Sequence, residues 1–167
     1  KEVNADYLSE TQYAEFYFEM AYSHFTSKKF REAKKMFAKI INTYNQYYFD
    51  ANYYYGILSF FDKDYEQALS SFQRIEKNKR YDKYMPYYIT LIYYYQSQYD
   101  DLLAYAAPKA KVSGLKNQKE INHIVGQTYF NRKQFQEALP YLEFYVEKSK
   151  KVRKEDVFQL GFTQYQI

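Results

Sequence analysis

The side chains that could carry out acid–base, nucleophilic or metal chemistry are few in this sequence, and they are scattered. Its two histidines, His24 and His123, are far apart, and it has no cysteine. Asp100 and Asp101 are adjacent, and neighbours on a helix point about 100° apart, so the two carboxylates cannot flank one substrate atom. Metal binding needs clustered ligands and phosphate binding needs a glycine-rich loop, whereas the four glycines are isolated. The sequence therefore predicts no enzyme and no catalytic, cofactor-binding or metal-binding residues.

Aromatic residues dominate the apolar content. The 167 residues include 24 tyrosines and 14 phenylalanines, more than all leucines, isoleucines and valines together, and no tryptophan. Each aromatic ring can bury roughly 150–250 Å² while a tyrosine hydroxyl still reaches water, so we expect phenol rings to dominate the core. The net charge is only +4, and no run of about 18 apolar residues occurs. This composition predicts a folded chain without a direct membrane span.

The sequence repeats itself with spacings of 35, 34, 36 and 35 residues. In each repeat a small residue precedes an aromatic residue by four positions, and these aromatics are Phe25, Phe60, Tyr94, Phe130 and Tyr165. A second set of positions keeps a similar spacing and carries Ala33, Ala68, Leu102 and Ala138. Further apolar residues follow at helical spacing, among them Phe37, Phe72 and Leu142. Each repeat is therefore predicted to be a pair of amphipathic helices.

This pattern resembles the tetratricopeptide repeat (TPR) family over residues 11–167. The resemblance implies an all-α fold, an α-solenoid of tandem helix-turn-helix repeats wound into a right-handed superhelix. We expect a lead-in segment at 1–10 and a single TPR domain at 11–167, with repeats at about 14–47, 49–82, 83–116 and 119–152 and the first helix of a fifth at 154–167. The resemblance also implies close helix contacts at the small residues Ala21, Ala33, Gly56, Ala68, Gly126, Ala138 and Gly161.

The sequence departs from the family in its turns and in its third repeat. The family usually has glycine between the two helices, where this chain has Lys28, Lys63, Ser97 and Lys133, so we expect turns that are strained or of another type. Pro108 lies in the second helix of the third repeat, which should kink or end early and bend the solenoid there. Asp64, with Gln67 three residues later, predicts an acidic N-cap for the second helix of the second repeat.

The resemblance implies that the first helix of each repeat lines a concave groove. The positions mapped to this groove are Phe18, Tyr22, Tyr53, Ile57, Phe61, Tyr87, Leu91, Tyr95, His123 and Gln127. The repeated aromatics from Phe25 to Tyr165 are interpreted as packing residues. Tyr22, Tyr53, Phe61, Tyr87 and Tyr95 lie a turn away, so they should stay partly exposed and mark an interaction site. For His123, a partner contact and a solvated surface position are equal alternatives.

Three functions compete at this point. The leading hypothesis is a scaffold that binds an extended or helical peptide in the aromatic groove, since Phe18 and Tyr22 replace the lysine and asparagine with which some TPR domains clamp acidic tails. The second is an architectural spacer or self-association module whose groove is filled by its own parent chain. The third, RNA binding by stacking, is disfavoured because the basic residues map to the outer face. We therefore expect a protein or peptide partner and no nucleic acid.

Two expectations concern the context of the chain. The segment 37–56 is similar in style to linkers of TPR proteins in bacterial cell envelopes, which implies the periplasm or cell envelope in preference to the cytoplasm. The sequence ends inside a first helix, which predicts further TPR repeats in a longer parent chain.

Overall fold

The computed structural model describes residues 8–167, and these residues form α-helices joined by short turns and loops, with no strand. They make two compact units, residues 8–81 and 82–167. The first unit contains α1 (Glu10–Thr26), α2 (Phe30–Phe37), α3 (Tyr48–Phe61) and α4 (Tyr65–Ile75). The second contains α5 (Met85–Tyr95), α6 (Tyr99–Ala110), α7 (Gln118–Asn131), α8 (Phe135–Lys148) and α9 (Lys154–Gln166). Most of the predicted lead-in segment 1–10 lies outside the described residues.

Within each unit the helices pack in sequence order, as the repeat pattern predicts. The odd-numbered helices α1, α3, α5 and α7, here called first helices, each pack against the following even-numbered second helix. The ninth helix is a first helix by its position in the repeat, and it packs against α8. All five first helices and four second helices therefore correspond to the predicted amphipathic pairs.

Glycine allows the closest approach between paired helices at two positions. A Cβ atom added to Gly56 would lie 2.6 Å from the Phe72 ring, and one added to Gly126 would lie 2.9 Å from Leu142 Cδ2. The predicted close contact is confirmed at both sites. It is wrong at Gly161, where an added Cβ would meet nothing within 4 Å, because no second helix covers that face of α9 in the described part of the chain.

The cores are more aliphatic than the composition predicts. Only Tyr55, Tyr81 and Tyr141 are buried among the described tyrosines, and the fully buried large side chains are mostly aliphatic, with Phe37 and Phe72 the aromatic exceptions. In the first unit, tyrosine and phenylalanine rings pack half-buried around a centre of small and aliphatic residues. The expectation that phenol rings dominate the core is therefore wrong, because a hydroxyl that keeps contact with water holds its ring at the edge.

The four turns between paired helices share one conformation, the Schellman motif. Lys28, Lys63, Ser97 and Lys133 all have a left-handed backbone, with φ between 57° and 62°. In the first turn Lys29 N–H donates to His24 O and Lys28 N–H to Phe25 O, and the other three turns repeat both bonds. Because left-handed backbone costs a non-glycine residue roughly 1–2 kcal/mol, the strained alternative is the correct one.

Two local predictions are wrong in part. The sequence predicts that α6 kinks or ends early, and the second alternative is wrong, since the helix continues past Pro108 to Ala110. Proline removes only one hydrogen bond there, to Ala104, which is exposed and can bond to water instead. The helix α4 begins after Asp64 as predicted, but no side-chain cap forms. The Asp64 carboxylate instead accepts from Lys34 Nζ at 3.3 Å. Among the described helices, a complete capping box forms at the start of α1, between Ser9 and Gln12.

Candidate protein-interaction surface

The first unit exposes Tyr22 on α1, in contact with aromatic rings of two helices. The Tyr22 ring is 42% exposed. It lies parallel to the Phe18 ring at 6.2 Å and meets the Tyr54 ring of α3 edge-on at 5.6 Å. Phe18 is half-buried and stacks on Tyr47 at 4.3 Å. Helical spacing places Phe18 and Tyr22 on one face of α1, so the predicted pair is brought together, with Phe18 as support and Tyr22 as the accessible ring.

Tyr53 is held by the loop that follows α4. Its ring is half-buried and stacks on Tyr81 at 4.9 Å. The Tyr81 hydroxyl donates to Asp50 at the start of α3, and the guanidinium of Arg80 pairs with the same carboxylate. Burial, followed by the neighbouring carboxylate, raises the pKa of Tyr81 far above its ordinary value. Tyr53 is thus part of the internal packing of the unit, in addition to its predicted groove position.

The remaining groove residues of the first unit lie towards the end of α3. Ile57 is half-buried, whereas the Phe61 ring is 72% exposed and meets the ring of its neighbour Phe60 edge-on at 5.7 Å. Phe60 in turn meets Tyr65 of α4 at 5.9 Å. The structure therefore presents Phe61 as a second accessible aromatic ring on a first helix of this unit.

In the second unit, Tyr95 is the exposed groove aromatic. Its side chain is 53% exposed, and its ring meets that of Tyr94 at 6.0 Å. Tyr87 is half-buried and packs against the core of the unit. Burial, with a smaller contribution from Glu120, raises the pKa of Tyr87 and keeps its hydroxyl protonated. Leu91 is half-buried between them on α5.

His123 and Gln127 both have partners within the unit. The His123 ring stacks on Tyr145 at 3.9 Å, and its Nε2 lies 2.7 Å from Oδ1 of Asp156 on α9. Arg153 donates to the same carboxylate at 2.9 and 3.0 Å. Gln127 approaches Gln159 of α9 at 3.5 Å. His123 is thus neither a solvated position nor an open partner contact, because it anchors the start of α9.

The Asp156 carboxylate is fully buried at this anchor. Burial alone would raise the pKa of Asp156, but the hydrogen bonds from Arg153 and His123 outweigh it and hold the pKa below the ordinary value. The carboxylate therefore stays charged and binds α9 to α7. This cluster has no counterpart in the sequence prediction, since its three members lie on different elements of the repeat.

Two buried asparagines were also missed, and they fix the loops between repeats. Asn52 Nδ2 donates to Ile41 O at 3.0 Å and to Tyr48 O at 2.8 Å. Asn122 makes the equivalent bonds to Ala110 O and Gln118 O. The signal was present, because each asparagine stands four residues before a contact glycine, Gly56 or Gly126. Buried amides that satisfy backbone carbonyls are structural, so these residues add no binding site.

The repeated aromatics behave alike in four repeats. Phe25, Phe60 and Phe130 are half-buried, Tyr94 is 38% exposed, and each meets the first ring of the next helix edge-on. Tyr165 differs, since it is 84% exposed. The interpretation as packing residues is therefore wrong for Tyr165, whereas it fits the other four aromatics.

Within residues 8–167, no group of three or more histidines and carboxylates is placed to hold a metal ion. No helix in this part of the chain has the length and apolarity needed to cross a bilayer.

Comparison with known proteins bears on the fold. No family model matches the chain, and no curated protein matches its sequence. The solved structure of MamA AMB-1, a TPR-like helical repeat protein, has a TM-score of 0.70 to this chain at 13% identity, covering 92% of this chain and 81% of its own. The MamA RS-1 ArsTM double mutant has a TM-score of 0.65 at 15% identity, covering 92% and 84%. The chain is therefore an all-α solenoid of TPR-like helix pairs.

Proposed function

We propose that this protein is a non-catalytic scaffold that binds an extended or helical peptide segment on the aromatic face of its first helices. One observation carries the proposal: Tyr22, Phe61 and Tyr95 keep 42%, 72% and 53% of their surface exposed, whereas Phe18, Tyr53 and Tyr87 on the same helices are half-buried. Large apolar groups left at the surface are typical of interaction sites. The TPR-like fold supports this reading, because its first helices present a repeated face to a ligand.

The chemistry of these side chains suggests the kind of ligand. A tyrosine offers a rigid apolar ring with a hydroxyl that can bond to a peptide backbone, and tyrosine is enriched among residues that dominate binding energy. No lysine or asparagine stands at the positions of Phe18 and Tyr22, so a free carboxylate would find no clamp there. An apolar segment with spaced anchors fits this surface better than an acidic tail.

The test is a pull-down from extracts of the source organism with three baits, the natural chain and two variants. The Tyr22→Ser/Tyr95→Ser double variant removes the two exposed tyrosine rings and leaves half-buried Tyr53 and Tyr87 unchanged. A Tyr44→Ser variant is the matched control, since Tyr44 is 77% exposed but lies in the loop after α2. We expect a partner that is held by the natural chain and by the control and is lost with the double variant. Equal recovery by all three baits would remove these rings from the function.

A second candidate, the architectural spacer, is favoured by the internal contacts of the other groove residues. Tyr53 stacks on Tyr81, and His123 pairs with Asp156, so part of the predicted groove already serves the packing of the chain. If this role is the main one, the double variant should lower the thermal stability of the chain and recover the same proteins. Light scattering over a range of concentrations would then reveal whether copies associate.

The proposed context completes this function. A location in the bacterial periplasm or cell envelope, further TPR repeats in a longer chain and the absence of a nucleic-acid partner are predictions from the sequence. Cell fractionation tests the first of them. Retention on single-stranded RNA at low salt, lost as salt rises, would contradict the last.

A further inference from the structure

The first helices share a carboxylate that lies near their N-termini. It stands six residues before the small residue of the repeat and three residues before a groove position. These carboxylates are Glu15 in α1, Asp50 in α3 and Glu120 in α7. Residues three apart on a helix are neighbours on one face. A negative charge therefore borders the aromatic face on each of these helices.

The charge of the first helices differs in sign from that of the whole chain. The helices α1, α3, α5 and α7 contain five carboxylates, namely Glu10, Glu15, Glu19, Asp50 and Glu120, and one lysine, Lys119. The chain as a whole carries a net charge of +4. Complementary charges steer partners together and reject partners of the wrong sign. A peptide that binds along these helices is therefore favoured when it carries positive charge.

The first unit shows what this carboxylate binds when a cation is at hand. The guanidinium of Arg80, in the loop after α4, pairs with the carboxylate of Asp50. The hydroxyl of Tyr81 donates to the same carboxylate, and the Tyr81 ring stacks on Tyr53 at 4.9 Å. A guanidinium held by the first-helix carboxylate beside tyrosine rings is thus already part of this structure.

In the second unit the equivalent carboxylate has no such arginine. The loop after α8 supplies Arg153, but its guanidinium donates to Asp156 of α9 at 2.9 and 3.0 Å. Glu120 pairs with the adjacent residue Lys119 at 3.4 Å, and the Glu120 side chain stays 43% exposed. An exposed ion pair of this kind contributes only about 0–1 kcal/mol. The Glu120 carboxylate is therefore available to a cation from outside the chain.

Tyrosine rings of α5 accompany this carboxylate. The helices α5 and α7 pack against each other. Burial raises the pKa of Tyr87, and the charge of Glu120 adds to the shift because the carboxylate lies near the phenol. Three residues earlier, the ammonium of Lys116 lies over the Tyr84 ring at 5.9 Å. A cation that meets both a tyrosine ring and a carboxylate gains a cation–π contact in addition to the ion pair.

We propose that Glu120 and Tyr87 form a subsite for an arginine or lysine side chain, so that the peptide segment bound on the aromatic face is a basic one. This inference rests on the proposed function, because it names the charge of the ligand for the same face. Apolar residues of the peptide contact the exposed ring of Tyr95, and its basic residue reaches Glu120. The internal contact between Arg80 and Asp50 sets this chemistry.

The test begins with a random-peptide library displayed on phage and selected on the 167-residue chain. We expect the selected peptides to be enriched in arginine or lysine beside apolar residues, relative to the starting library. One selected peptide is then synthesised with a fluorescent label, and a second form carries citrulline for its arginine or acetyl-lysine for its lysine. By fluorescence anisotropy the neutral form should bind the natural chain about fivefold more weakly.

Two variants of the chain give the matched comparison. Glu120→Gln should weaken binding of the basic peptide to the same extent and no longer distinguish the two peptides. Glu137→Gln makes the same change at an exposed position of the second helix α8 and should distinguish them as the natural chain does.

Three results would overturn the proposal. The first is a set of selected peptides without basic enrichment, and the second is equal discrimination by Glu120→Gln and the natural chain. Both leave the proposed peptide binding intact, whereas failure to select any peptide would contradict the proposed function as well. The third is a dimer of the natural chain that Glu120→Gln dissociates, since it would assign the acidic subsite to a basic loop of a second copy.

Discussion

At the scale of single residues, the effect of replacing a helical glycine depends on whether a second helix packs on it. A methyl group at Gly126 would lie 2.9 Å from Leu142 Cδ2 and 3.2 Å from the Leu142 backbone nitrogen. Backbone cannot yield as a side chain can, so the two helices must separate. We expect Gly126→Ala to lower the free energy of unfolding by about 1–3 kcal/mol, as overpacking does. Urea denaturation followed by circular dichroism measures this change.

Gly161→Ala is the matched control for that substitution. The new methyl group meets open space, and alanine favours a helix over glycine by about 1 kcal/mol. We expect the free energy of unfolding to stay level or to rise by up to that amount. Equal destabilisation by both substitutions would mean that helix packing does not explain the glycines.

The buried carboxylate of Asp156 makes the attachment of α9 sensitive to acid. Its pKa is held below the ordinary value, so the folded state binds the proton more weakly than the unfolded chain. The stabilisation is therefore complete above the ordinary carboxyl range and is lost as the pH falls through the lowered pKa. We expect hydrogen-exchange protection of the α9 amides to fall below about pH 4.

Asp156→Asn should reduce that protection at neutral pH as well, because it removes the charge that Arg153 and His123 surround. In this variant the hydrogen-exchange protection of α9 should no longer fall with acid because of residue 156, since the asparagine amide does not titrate in this range. Asp100→Asn is the control, since the Asp100 side chain is 92% exposed. Unchanged α9 protection in Asp156→Asn would show that the helix is held by other contacts.

At the scale of elements, the four Schellman turns carry backbone strain that glycine would relieve. Lys63 has φ 62° and an exposed side chain. Left-handed backbone costs roughly 1–2 kcal/mol in a residue with a Cβ atom. Glycine avoids this cost, but about half of the benefit is lost because glycine has more conformational entropy in the unfolded chain. We expect Lys63→Gly to raise the free energy of unfolding by about 0.5–1 kcal/mol. Thermal melts of the two variants measure this change. Lys63→Ala, which loses the same charge but keeps the Cβ atom, should not raise the free energy of unfolding.

Most features that the sequence predicted recur in several repeats, and most that it missed do not; the repeated buried asparagines Asn52 and Asn122 are the exception. Helix pairs, turn positions and contacts at Gly56 and Gly126 follow from the 35-residue period, because each recurs in several repeats. The exposure of Tyr22 and Phe61 follows from helical spacing in the same way. The anchors of Tyr53 and His123 could not be predicted, because their partners Tyr81 and Asp156 lie beyond the helix pair, in or after loops without periodic signal. The missing helix cap has a different cause, because two partners compete for the Asp64 carboxylate. It binds Lys34 instead of capping its own helix.

At the scale of the whole molecule, the first compact unit depends on residues outside its helices. The first unit ends at Tyr81, six residues after α4. Those last residues are tied to α3, since Tyr81 stacks on Tyr53 and bonds to Asp50. These side-chain contacts tie the loop to the first unit, so the unit extends beyond its last helix.

This dependence predicts how fragments of the first unit behave. A fragment of residues 1–81 contains its own core and should melt cooperatively. A fragment of residues 1–79 lacks Arg80 and Tyr81 and should melt lower, because each 1 kcal/mol lost shifts the midpoint by about 4–8 °C in a domain of this size. Tyr81→Phe in the longer fragment keeps the stacked ring and loses the hydrogen bond to Asp50, so its midpoint should fall between the two. Identical melting of all three by circular dichroism would mean that the unit ends at α4 and that the loop contacts add nothing to its stability.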